Sequence, residues 1–157
     1  MSAKETPEGK VELRGNVIEY AEKLFDEKEY YGAFSRILSL IQCWMQILYD
    51  EHFKLTYDSF EKYRRSERKF SYFILISDLA GIKLINEDEK KRLKDFRESW
   101  SLLRNRLVRH TYSRNPWYAV DKKELLAAFQ NGKDLVDFLA RKSNYHVPRA
   151  SNEARIS

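Results

Sequence analysis

Along most of the chain, apolar residues recur at steps of three and four, the spacing that lines one face of an α-helix. Over residues 9–28 these positions are Val11, Leu13, Val17, Ile18, Ala21, Leu24 and Phe25, with charges between them, which predicts an amphipathic first helix. A short break near residues 26–29 precedes a second helix expected over residues 30–55. Its apolar positions, among them Ala33, Phe34, Ile37, Ile41, Trp44, Met45 and Leu48, cover far more than one stripe. A helix apolar over most of its girth must be covered on several sides, either inside a bundle or against a second subunit.

Residues 58–69 are densely charged around Phe60 and Tyr63, and read as a solvated helix or loop in preference to a dedicated nucleic-acid patch. The helical pattern resumes at Phe70, Phe73, Ile74, Leu75, Ile76, Leu79 and Ala80, with Gly81 expected to cap its end. Asn86 followed by Glu89 is a capping pair, and three carboxylates at positions 87–89 suit the positive end of a helix dipole. The fourth helix that starts there has Leu93, Phe96, Trp100, Leu103 and Leu107 as its apolar stripe, and one further step reaches His110. Asn115-Pro116 must interrupt it, because proline has no amide hydrogen and disfavours helical geometry in the residue before it. Asp121 with Glu124 opens a last helix, whose continuity is weakened at Asn131-Gly132.

The expected fold is therefore all-α, an up-and-down bundle of about five helices with strands nowhere required. Residues 9–141 form the domain, 1–8 a flexible start and 142–157 a flexible tail.

Composition narrows this picture slightly. At 157 residues, 43% hydrophobic and 34% charged, the chain fits one domain with a real core. Gly 5 and Pro 3 are too few for a turn-rich all-β fold. The net charge of +5, with a pI near 9.2, is compatible with a polyanionic partner but does not require one. Cys43, the single cysteine, excludes an intrachain disulfide and reads as a packing residue, which makes a reducing cytoplasm the expected compartment. The most apolar stretch, residues 37–49, is too short to span a bilayer, and the first eight residues lack a signal core.

The chemistry concentrates at the end of the fourth helix, in Arg104, Asn105, Arg106, Arg109, His110 and Tyr112. Imidazole moves protons near neutral pH, and guanidinium presents donors matched to phosphate oxygens. Together they can assist phosphodiester cleavage in RNA, where the 2′-hydroxyl is an internal nucleophile and no metal or cofactor is needed. No set of Asp, Glu or His at ligand spacing shares a helix face near His110. Plainer readings stand beside these: a packed His110, arginines that are surface charges, and Tyr112, Trp117 and Tyr118 folded back onto the bundle instead of stacking on bases. Asn105 in mid-helix is mildly unfavourable and points to an amide in use. Six helical steps leave Arg104 and His110 roughly 120° apart and about 9 Å apart along the axis. Either the helix is distorted between them, or a site uses two copies of the motif across a dimer.

Arg104-Asn105, then His110, then Tyr112 two places on, resembles the signature of the HEPN family, the higher eukaryotes and prokaryotes nucleotide-binding domains. The position of the motif at the end of a long amphipathic helix, after the loop at residues 82–86, is similar too. The resemblance implies a helical bundle that pairs as a homodimer, with two motifs lining a shared cleft, and a metal-independent endoribonuclease, as in the toxins and RNases of that family. Arg104, Asn105 and His110 would then be catalytic, with Arg106, Arg109 and Tyr112 on the RNA. Tyr112 matches the tyrosine that some HEPN toxins expose for modification by a nucleotidyltransferase-type antitoxin; those toxins usually have four residues between Arg and His where this chain has five. The alternative is a non-catalytic HEPN module that binds RNA, nucleotide or a partner protein.

Overall fold

A computed structural model describes residues 3–13, 16–52 and 71–143. The charged stretch at 58–69 and the tail beyond Ser143 lie outside the described residues. The chain is an all-α helical bundle whose described helices are α1 (Val17–Asp26), α2 (Tyr30–His52), α3 (Tyr72–Gly81), α4 (Glu87–Ser113) and α5 (Lys122–Lys142). A 3₁₀ turn, Pro116–Tyr118, joins α4 to α5.

The first departure from the expected pattern lies before α1. Residues 9–13 are not helical: β1 (Ala3–Glu5) and β2 (Val11–Leu13) pair as an antiparallel hairpin, with Lys4 opposite Glu12. The turn between them has Gly9 donating to the Thr6 carbonyl at 2.9 Å, Lys10 donating to the Thr6 hydroxyl at 3.1 Å, and Gly9 at φ +78°. That left-handed backbone suits glycine, so Thr6-Pro7-Glu8-Gly9 is turn chemistry and the first helix is shorter than its apolar spacing suggests. Asn16 sets the actual start, its Oδ1 accepting from the amides of Ile18 and Glu19 at 2.8 and 3.4 Å.

Three helices are followed, within two residues of their ends, by a basic residue in the left-handed region: Lys28, Lys83 and Arg114. After α1 the Glu29 amide donates to the Leu24 carbonyl, and after α3 the Leu84 amide donates to that of Leu79, both spanning five residues as a Schellman closure does. Gly81 is therefore not the cap expected of it; it is the last residue of α3, and Lys83 takes the positive φ. The capping box at Asn86 and Glu89 forms as read, with reciprocal bonds of 2.8 and 3.0 Å.

The hydrophobic core is organised around α2, which packs on α1, α3, α4 and α5. Ala33, Phe34, Ile37, Ile41, Met45 and Leu48 are all buried, so the broad apolar girth of this helix is largely used within one chain. An aromatic cluster joins four helices: Phe34 of α2 stacks on Trp100 of α4 at 3.9 Å, and Phe25 of α1 stacks on Phe129 of α5 at 4.6 Å. Such ring contacts add to the area that each aromatic side chain buries. Cys43 departs from expectation too, lying exposed on α2.

Helix α5 runs unbroken through Asn131-Gly132, with Gly132 buried. A Cβ there would lie 2.7 Å from both Ile37 Cγ2 and Phe96 Cζ. Close approach of three helices, not a helix end, explains this glycine. Among the described residues no helix is long and apolar enough to cross a membrane.

Candidate functional site at the end of the fourth helix

Helix α4 reaches Ser113 without a break, so no distortion separates Arg104 from His110. Its apolar stripe is buried at Leu93, Phe96, Trp100 and Leu103, becomes half-buried at Leu107, and ends there. His110 continues the spacing but projects beyond the bundle and is exposed. The packed-histidine reading therefore fails. At 100° per residue, Arg104, Asn105, Val108 and Tyr112 share one side of α4, while His110 lies on another, closer to Leu103 and Arg106.

These side chains are open to the outside to different degrees. Arg104 is half-buried, Asn105 and His110 are exposed, and Tyr112 is 87% exposed. Among the described residues, Arg104, Asn105 and His110 make no side-chain hydrogen bond or ion pair, so the Asn105 amide is not used within the fold. In the same turns, Thr111 and Ser113 spend their hydroxyls on the carbonyls of Leu107 and Arg109, at 2.8 and 2.6 Å.

Arg106 differs from Arg104, Asn105 and His110. Its Nη1 and Nη2 hold the Glu124 carboxylate at 3.1 and 3.2 Å, and Nη2 also donates to the Ala119 carbonyl. The guanidinium beside Glu124, together with the Asp121 amide, holds that carboxyl below the usual range. Arg106 ties α4 to α5 and the 3₁₀ turn, so its guanidinium already has partners within the fold. It lines an open groove between α4 and α5 together with Ser99, Leu102, Leu103, Glu124 and Asn131. Arg104, Asn105 and His110 are not part of that groove.

Arg109 remains exposed, with its guanidinium 5.5 Å from the centre of the Tyr118 ring. Tyr118 is half-buried, whereas Trp117 stands 86% exposed on the same turn. Of the aromatics thought to fold back onto the bundle, only Tyr118 does so. Residues 99–120 carry four arginines, at 104, 106, 109 and 114, and no carboxylate at all. That run is a sequence signal wider than the motif, and it adds Arg114 to the basic set.

The arrangement gives two chemistries on one helix end: an arginine and an asparagine on one side, and an imidazole about 120° away. No family model, curated protein or solved structure matches this chain.

Proposed function

We propose that the chain is a metal-independent endoribonuclease of the HEPN class that works in the cytoplasm as a homodimer, with the Arg104 and His110 motifs of both subunits lining one cleft. The observation that carries this reading is the set of unpartnered Arg104, Asn105 and His110 side chains, the first half-buried and the other two exposed, at the basic end of an unbroken helix. Side chains engaged in holding the fold would have partners, as Arg106 does.

In the proposed reaction the RNA 2′-hydroxyl attacks the adjacent phosphorus and the 5′-oxygen leaves. The products are a 2′,3′-cyclic phosphate and a 5′-hydroxyl end. His110 handles a proton, Arg104 stabilises the charge that builds on the phosphoryl oxygens, and Asn105 orients the group by hydrogen bonding. Arg109 and Tyr112 contact the flanking RNA. A role as toxin or defence effector goes with this reading. In the toxin version the exposed Tyr112 hydroxyl attacks the α-phosphorus of a nucleoside triphosphate held by a nucleotidyltransferase-type antitoxin, pyrophosphate leaves and the phenol proton passes to solvent, detected as a mass increase on Tyr112 after co-expression.

The test is cleavage of labelled single-stranded RNA in EDTA by wild type, Arg104→Ala and His110→Ala, with circular dichroism as the folding check. Loss of cutting in both folded variants supports the nuclease. Typical general acid–base contributions make the His110→Ala loss about 10²- to 10⁴-fold.

A second reading, a non-catalytic module that binds RNA, nucleotide or a partner protein through the same basic end, is favoured by the separation of Arg104 and His110 on one helix. Folded wild type that binds RNA and cuts none of a varied set sinks the enzyme and leaves the module.

A further inference from the structure

We infer that Trp117 is a stacking platform for an unpaired RNA base, held ready by the turn between α4 and α5. This rests on the reading of the α4 end as an RNA-binding surface, and deepens it by naming single-stranded RNA as the ligand and a residue outside the motif as a contact.

An indole is the largest aromatic surface a side chain offers, and folded chains bury most of theirs. Trp100 follows that habit at 2% exposure, while Trp117 is left at 86%. The exposure is not the result of a loose loop. Asn115 Oδ1 accepts from the Trp117 amide at 3.1 Å, the Tyr118 amide donates to the Asn115 carbonyl at 3.0 Å, and the Ala119 amide to that of Pro116 at 3.2 Å. Pro116 fixes its own φ, and Arg106 grips the Ala119 carbonyl from α4. On the inner side Tyr118 is half-buried under Arg109. The backbone beneath the indole is thus tied on both sides, so a ligand stacking there orders little that is not already ordered.

The surroundings decide which flat ligand fits. Arg109 and Arg114 flank the turn, and no carboxylate occurs between residues 99 and 120. With the nearby Glu124 carboxylate neutralised by Arg106, an exposed aromatic face beside the basic stretch 104–114 suits a base joined to phosphates. In a duplex the bases are stacked on each other and their faces are closed, so the platform selects single strands.

The experiment measures binding of a labelled single-stranded RNA and of a duplex RNA, at one fixed salt concentration, to wild type, Trp117→Ala and Trp117→Phe. Circular dichroism checks folding, and 2′-O-methyl RNA, which lacks the attacking hydroxyl, prevents cutting during titration of all three proteins. Base–aromatic stacking energies give an expected loss of about fivefold to a hundredfold for Trp117→Ala on the single strand. Trp117→Phe retains most of the affinity because it keeps an aromatic face, and neither variant changes duplex binding. Bound bases also quench a fluorescence component present in wild type and missing from Trp117→Phe.

Single-strand affinity of folded Trp117→Ala equal to wild type overturns the inference, whatever the cleavage assay shows. Stacking losses as expected, from a protein that cuts no RNA, keep the inference and reject only the nuclease. Wild type that binds no RNA overturns both.

Discussion

The Arg106 guanidinium holds the Glu124 carboxylate through both terminal nitrogens, while the same Glu124 accepts from the Asp121 amide at 3.1 Å and so caps α5. One carboxylate therefore serves a helix start and a link between two helices. Glu124→Gln keeps the shape and removes the charge. Because the folded carboxyl is held below its ordinary value, its contribution is fully present above the unfolded value of about 4.3 and is lost as pH falls through the lower folded one. The melting temperature of Glu124→Gln should lie below wild type at neutral pH, and the gap should close in the acid range. The pair faces solvent, so the neutral-pH difference is at most about 1 kcal/mol. A gap that widens on acidification would contradict the assignment.

At the other end of the pH scale the sensitive group is Tyr72. Its hydroxyl donates to the Leu93 carbonyl at 2.7 Å, and burial pushes the phenol well above its ordinary range, with the Arg97 charge opposing. A raised folded value means that the stability is present below the unfolded value of about 10 and is lost as pH rises past it. Tyr72→Phe should be destabilised by about 1 kcal/mol at neutral pH, the usual net worth of one hydrogen bond. Above the ordinary phenol range the order should reverse, with the variant outlasting wild type in alkaline denaturation.

Two glycines in helices should respond oppositely to alanine. At Gly132 the new Cβ would meet Ile37 and Phe96 at 2.7 Å, and overpacking of that kind costs about 1–3 kcal/mol, more than the helical preference of alanine returns. At Gly81 nothing lies within 4 Å and φ is not positive, so alanine should stabilise by about 0.4–1 kcal/mol. Urea titration of both variants reads the two signs directly.

If the proposed cleft pairs Arg104 of one subunit with His110 of the other, two inactive variants should rescue one another. Mixing Arg104→Ala with His110→Ala under conditions of subunit exchange makes mixed dimers with one intact site of two. With half of the dimers mixed, the rescued activity is about a quarter of wild type. A site contained within one chain gives no rescue, and size-exclusion chromatography with light scattering confirms that exchange has taken place.

The sequence alone determined what depends on local periodicity and local hydrogen bonding. The all-α class follows from the three-and-four spacing, the start of α4 from the Asn86 and Glu89 capping box, and its end from Asn115-Pro116. The concentration of arginine, asparagine and histidine at that end is a property of the chain as written. Tertiary structure decided the rest. Val11 fits a helical spacing, yet β2 pairs with β1 because the Thr6–Gly9 turn brings the strands together, a partnership that periodicity does not register. Lys83 rather than Gly81 takes the left-handed position because α3 runs through Gly81 and closes two residues later, and Gly132 breaks nothing because three helices meet over it. The fates of the basic residues were likewise illegible: Arg106 and Arg109 are equivalent as letters, but only Arg106 faces a carboxylate brought round by α5. Spacing along a helix specifies the direction of a side chain; what waits in that direction depends on how distant segments pack.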